Sequence, residues 1–336
     1  MVKTISISVQ NLAAPCHCAC RYCLLRSDKT ASDGVDYFRG KQIAQRLVEW
    51  ARVTGIDPLP YYYIPYCADY PELFDTIAFN RSVGFVGARF LQCNGIAMRN
   101  AAETDEFVRK LKDAGVTDID TTFFGDETFH DRFAAREGDW QFMLRLAESA
   151  GRHGLTCSPS VVLLRDNLAM LPGLFDTLAQ VAEVRNIHSF LPDYRGRGHL
   201  VENSRLSRED CDALPENVKR TFNAGRYKTE REWLNGEALP EYTRRAVIIT
   251  LRRDNIEQFE RMTCEEMVRY VEQLDDTYYA AIPGISELAE MYGDRKNERL
   301  YRARDLFWMW QRRYIREHGL TLYDVTDERY CCTVRS

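Results

Sequence analysis

Four cysteines stand within eight residues near the start of this chain, Cys16-His17-Cys18-Ala19-Cys20-Arg21-Tyr22-Cys23. Three of them follow the order C-x3-C-x2-C, with an aromatic residue just before the last. Three thiolates on so short a loop can hold three corners of a four-iron cubane and leave the fourth iron open to a small molecule. A structural zinc site normally needs two cysteine pairs separated by a loop to close its tetrahedron. No second C-x2-C pair occurs, and the remaining cysteines (Cys67, Cys93, Cys157, Cys211, Cys264, Cys331, Cys332) are mostly scattered singly. Ferredoxin-type carriers take four ligands in C-x2-C-x2-C or C-x4-C-x2-C runs; neither fits. Cys16, Cys20 and Cys23 are the expected ligands of one [4Fe-4S] cluster, with His17 and Cys18 facing away from the three-point set. A non-catalytic iron–sulfur or zinc protein for electron transfer or interaction stays open as the competing reading.

The loop follows a strand pattern at residues 2–9, where polar and apolar residues alternate. Helical spacing then marks Lys41 to Arg52, ahead of Gly55. Strands are expected at Pro60 to Tyr66, Arg89 to Gln92, Asp118 to Phe124, Leu155 to Leu164 and Asn186 to Pro192. Helices fall between them, one capped by Thr104 and closed by Gly115, one over Trp140 to Arg152, one from Leu171 to Val184. Strands alternating with helices of this length predict a parallel α/β architecture with chemistry on loops at the strands' C-terminal ends. The cysteine loop falls at such an end.

Composition agrees with an ordinary globular protein. The chain has 336 residues, 45% hydrophobic and 28% charged, enough for a large domain or a barrel plus an appendage. Its net charge of −5 offers no strong footprint for nucleic acid. The longest apolar runs are far too short to span a bilayer. A strand pattern in place of a secretory segment, with eleven cysteines, predicts reduced thiols and a cytoplasmic setting.

Over residues 2–200 the sequence resembles the radical S-adenosylmethionine (radical SAM) superfamily of the CxxxCxxC type. The resemblance implies a partial (β/α)6 TIM-like barrel of parallel strands over residues 1–200. It implies S-adenosylmethionine as second cofactor, chelated by the open iron and cleaved reductively to a 5′-deoxyadenosyl radical that abstracts hydrogen from a peptide or small-metabolite substrate. A reductant such as flavodoxin or ferredoxin is implied as partner. Tyr22, before the third cysteine, is implied to lie near the adenine and shield the cluster. Tyr66-Cys67-Ala68-Asp69-Tyr70-Pro71-Glu72-Leu73 stands where the family carries a Gly-Gly-Glu-Pro turn; it lacks paired glycines, and Asp69 is the stand-in for the amine-binding acid beside Cys67 and Ala68. Thr122, before Phe123-Phe124-Gly125, matches the polar residue that meets ribose or carboxylate. Arg136, after His130-Asp131, matches an arginine that pairs with the SAM carboxylate. Ser160, Asn167 and Leu191, ahead of Gly196-Arg197-Gly198, match further cofactor-side positions.

Residues 201–336 are where the resemblance fades, and a mostly helical cap that chooses the substrate is expected there. Ser207 with Asp210 opens one helix, and Thr263-Cys264-Glu265-Glu266 is a capping box for a second. A third is expected from Lys296 to Glu317, with a core stripe and a basic face of Arg295, Arg299, Arg302, Arg312, Arg313 and Arg316 that reads as solvated, paired arginines. A cap excludes water from a reactive carbon radical. The cysteines of this region are too few and poorly spaced for a second cluster. Tyr330, Cys331 and Cys332 carry groups able to donate a hydrogen atom to a substrate radical and are the expected catalytic residues. The chain begins on its first strand, so a leader-binding function for a peptide substrate is expected from a separate partner.

Overall fold

Ile7 and Val9 alternate with Ser8 and Gln10, which gives the first strand two unlike faces. In the computed structural model this segment is β1 (Lys3–Asn11). The structure describes residues 3–11, 16–23, 34–64, 68–183, 186–194, 196–236, 239, 242–320 and 333–334. The apolar face packs outward against α1 (Tyr37–Thr54), sharing a core with Ile43 and Leu47, while Ser8 and Gln10 face an interior cavity. This polar-in, apolar-out alternation suits a barrel whose inside must hold a ligand.

The chain then repeats strand and helix. β2 (Tyr61–Tyr63) leads to α2 (Leu73–Ser82), β3 (Phe90–Gln92) to α3 (Ala101–Asp113), and β4 (Asp118–Phe123) to α4 (Glu127–Ala134) and α5 (Asp139–Arg152). β5 (Thr156–Val162) leads to α6 (Leu171–Val181), followed by β6 (His188–Phe190). All neighbouring pairs among these strands are parallel, β1 with β2, and β3 through β6 in order. The expected partial barrel forms, and its strands fall into two sheets. At the edge of β2 the Asn80 amide of α2 bonds both the N–H and the carbonyl of Tyr62, at 3.0 and 2.7 Å. A side chain thus satisfies main-chain groups that a further strand would otherwise take.

Several boundaries differ from the sequence reading for local reasons. α3 is capped by Asn100, not Thr104: Asn100 and Glu103 form the reciprocal capping box, and the Thr104 hydroxyl turns back to the Asn100 carbonyl at 2.8 Å. Gly115 holds the expected left-handed position just beyond α3, φ 83°. α1 begins four residues earlier than its periodicity indicated, because Asp36 accepts from the Arg39 N–H. The second strand is confined, within the described residues, to Tyr61–Tyr63.

The C-terminal stretch supplies α7 (Arg208–Asp212), α8 (Glu216–Lys219), β7 (Lys228–Thr229), α9 (Glu230–Asn235), β8 (Tyr242–Leu251), α10 (Ile256–Arg261), α11 (Cys264–Ala280), α12 (Ile285–Tyr292), β9 (Leu300–Tyr301), α13 (Ala303–Glu317) and β10 (Thr333–Val334). Both capping boxes expected there, Ser207/Asp210 and Thr263/Glu266, are present. The long helix expected from Lys296 begins only at Ala303, because Leu300 and Tyr301 pair antiparallel with β7. Of the arginines expected on its basic face, Arg313 pairs with Glu317 at helical spacing and Arg299 with Glu202, while Arg302 is nearly buried rather than solvated, between Asp193 and Asp305. β8 was not anticipated. It lies parallel to β1 from Ile7↔Val247 to Asn11↔Leu251, and Val247, Ile249 and Leu251 join the core of Ile7, Val9 and Leu47.

Candidate active site

The cysteine loop is gripped by main-chain hydrogen bonds. The His17 N–H donates to the Gly95 carbonyl just after β3 at 2.9 Å. The Ala19 and Arg21 N–H groups donate to Ala134 and Phe133 at 2.8 and 3.2 Å. Those two carbonyls close α4, where a helix leaves acceptors without partners, so the loop caps the helix. Ala135 stops α4 there with a left-handed φ of 54°, a conformation costing a non-glycine residue about 1 kcal/mol. From the far side, the Arg197 N–H donates to the Cys23 carbonyl at 2.8 Å and its guanidinium to the Ala19 carbonyl at 3.2 Å.

Gly95 allows the closest approach. Its φ is +74°, and a Cβ there would overlap the Cys16 sulfur. Only glycine meets both demands. Cys18, expected to face away from the other three, lines the same cavity and touches Cys16 and Cys20; its thiol also donates to Asp139 at 3.6 Å and accepts from Arg136 at 3.9 Å. Its largest electrostatic influence is the contact with Cys16, which favours the thiolate; Cys20, burial and Asp139 outweigh it and push the thiol up. The Asp139 carboxylate also meets His130 Nε2 at 3.2 Å, and Asp131 caps α5 by accepting from Gly138 and Trp140. The His130-Asp131…Arg136 stretch is therefore the support beneath the loop.

Cys16, Cys18, Cys20 and Cys23 all help to line a cavity of about 560 Å³. Ser8, Gln10, Tyr61 and Tyr63 from one sheet and Gln92 and Asp120 from the other help to wall it. Tyr22 closes over the cysteine side, packed on Phe124, Phe133 and Phe190 with ring centroids 5.5 to 6.4 Å apart. Burial raises its phenol pKa, and the adjacent Cys20, Cys23 and Asp120 raise it further, against a hydrogen bond to Thr122 that lowers it. Among the described residues, no three His, Cys, Asp or Glu side chains converge tightly enough for a single metal ion. Four cysteines lining one cavity, three of them in the C-x3-C-x2-C order, fit a multi-iron cluster better than one ion.

The other expected residues divide by position. Ala68 lines the cavity beside the cysteines. Thr122 and Ser160 stand one layer behind it, Thr122 against Tyr22 and Ser160 against Asp120. Asp69 lines a separate shallow pocket, with one oxygen on the Ala97 N–H at 2.6 Å and the other on Arg99 at 2.7 Å. Arg136 sits behind the loop, donating to the Ile96 carbonyl at 2.6 Å. Leu191 faces the core, its N–H on the Tyr227 hydroxyl. Asn167 ties the ends of β4 and β5 by donating to Phe124 and Val162. Cys67, Tyr330, Cys331 and Cys332 lie outside the described residues.

Asp120 was missed. Among the described residues it is the one carboxylate lining the cavity, and burial, the largest influence, raises its pKa to about 6 against the Ser160 hydrogen bond and the His188 charge. The signal was present: Asp118, Asp120 and Thr122 recur at period two, the mark of one polar strand face. Asn94, which accepts from the Thr122 N–H at 3.0 Å, and Gly95 carried no comparable pattern.

No family model and no curated protein matches the chain. In fold it is similar to radical SAM enzymes. SuiB of Streptococcus suis, solved bound to its precursor peptide SuiA, shares 12% identity with a TM-score of 0.46, over 66% of this chain and 48% of that one. The enzyme anSMEcpe with bound AdoMet shares 14%, TM-score 0.44, over 72% and 63%. Coproporphyrinogen III oxidase (HemN) from Escherichia coli, a radical SAM enzyme, shares 13%, TM-score 0.37, over 62% and 50%. The chain thus spans between about half and under two thirds of these proteins. Overlaps so partial leave the function to the residues themselves.

Proposed function

We propose that this chain is a radical SAM enzyme acting on a peptide or a small metabolite. One observation carries the reading: Cys16, Cys20 and Cys23 line a single cavity, and Cys18, which lines it as well, is the one of the four whose thiol is engaged by Asp139 and Arg136. Three thiolates would hold a [4Fe-4S] cluster there and leave one iron to S-adenosylmethionine, whose reductive cleavage supplies the 5′-deoxyadenosyl radical. Tyr22 and its aromatic neighbours exclude water from that end. The remaining cavity, walled by Gln10, Tyr61, Tyr63, Gln92 and Asp120, offers room for the carbon that loses hydrogen. Electrons would come from a partner such as flavodoxin or ferredoxin. No helix of the described residues is long and apolar enough to cross a membrane.

The test is anaerobic reconstitution, with iron and sulfide counted per chain and 5′-deoxyadenosine measured after dithionite reduction with S-adenosylmethionine present. About four irons with four sulfides and deoxyadenosine above the protein-free control support the reading. Iron without deoxyadenosine means an electron carrier, and zinc alone removes both iron readings.

A further inference from the structure

Asp120, Ser160 and His188 stand on three successive parallel strands, and the register Thr122↔Ser160↔His188 brings them onto one face. The Ser160 hydroxyl donates to Asp120 at 2.9 Å and lies 2.6 Å from His188 Nε2. Asp120 lines the cavity, Ser160 is buried, and His188 is exposed on β6, the edge strand of its sheet. A line of hydrogen-bonded groups therefore runs from the chamber to solvent. The three share no contact with the hydrogen bonds that support the cysteine loop.

We propose that Asp120, Ser160 and His188 form a proton path, in which Asp120 takes up or returns the proton of a substrate O–H or N–H group. This rests on reading the cavity as the substrate chamber. The steps balance without electrons changing hands. The substrate O–H or N–H bond breaks and its proton joins an Asp120 oxygen. Asp120 then gives a proton to Ser160 Oγ as Ser160 gives its own to His188 Nε2, and the imidazolium releases a proton to solvent. Hydrogen-atom loss from a carbon acidifies an O–H or N–H on that carbon, so a modest base suffices. A carboxyl group near pKa 6 is ionised at neutral pH and still accepts protons readily. The titratable groups within its electrostatic reach are His188 from β6, Tyr22 from the cysteine loop and Cys157 from β5.

The experiment follows the Asp120 carboxyl carbon by NMR against pH in the full chain, with Asp120→Asn assigning the signal. A midpoint well above the ordinary carboxylate value is expected in wild type. Ser160→Ala and His188→Gln should each move it up by about one pH unit, while Ser160→Thr, which keeps the hydroxyl, should leave it near wild type. Diethylpyrocarbonate should modify His188 and reproduce the His188→Gln shift. An ordinary midpoint, one indifferent to both substitutions, or a His188 inert to the reagent overturns the path. Deoxyadenosine formation by the reconstituted wild type reports on the cluster reading independently, so loss of either idea can be told from loss of the other.

Discussion

The Cys18 thiol donates to a carboxylate oxygen of Asp139, 3.6 Å away and 121 positions along the chain. That contact and the one from Arg136 distinguish Cys18 from Cys16, Cys20 and Cys23, with which it lines the same cavity. Cys16→Ser, Cys20→Ser and Cys23→Ser are each expected to lose most of the reconstituted iron. Cys18→Ala is expected to keep wild-type iron and sulfide and to lower stability by about 1–3 kcal/mol, because Asp139 and Arg136 lose a buried partner. Iron analysis with urea unfolding decides it; a Cys18→Ala protein without iron would return Cys18 to the ligand set.

Gly95→Ala meets two penalties, a left-handed φ and an overlap with the Cys16 sulfur. Gly55→Ala is the control, since its φ of +72° is similar and its Cβ position is open. The control should cost about 1 kcal/mol. Gly95→Ala should cost more and also reduce iron retention. Equal effects from the two substitutions would show that the sulfur does not press on Gly95.

Asp120 should make the apoprotein's stability fall as pH rises. Its folded pKa, about 6, lies above the unfolded value of 3.8, so the native state binds the extra proton between those values. Stability from this group is full below pH 3.8 and lost as pH climbs through 6, by at most about 3 kcal/mol. Urea unfolding at pH 4.5 and 7 should show a more downward trend in wild type than in Asp120→Asn. Parallel trends would place Asp120 in solvent.

Ile249 is fully buried on β8, in the core shared with Val9 and Leu47. Ile249→Ala should cost about 2–5 kcal/mol and unfold the N-terminal strands in the same transition. If tryptophan fluorescence and far-UV circular dichroism instead separated into two transitions, β8 would not be integral to the barrel.

What was legible in the sequence is local. The cysteine spacing, the strand–helix alternation and the capping boxes at Ser207 and Thr263 each depend on residues a few positions apart, where side-chain chemistry and backbone preference act directly. Asn100 displaced Thr104 as a cap because its side chain reaches the Glu103 N–H, a choice between adjacent candidates that spacing cannot make. β8 escaped notice because its value lies in pairing with a strand some 240 residues earlier. Asp69 shows the reverse difficulty: a motif position whose charge is engaged by Arg99, 30 residues away, a partner that no motif indicates.

By itself the sequence determined that three thiols share one loop at the end of a strand, since covalent spacing fixes what a short segment can present. Only the tertiary structure decided which cysteine meets Asp139 and Arg136, which carboxylate enters the chamber and what gives that carboxylate its company. Those outcomes rest on contacts between distant segments, where burial and a hydrogen-bond partner across the barrel set the state of an ionisable group.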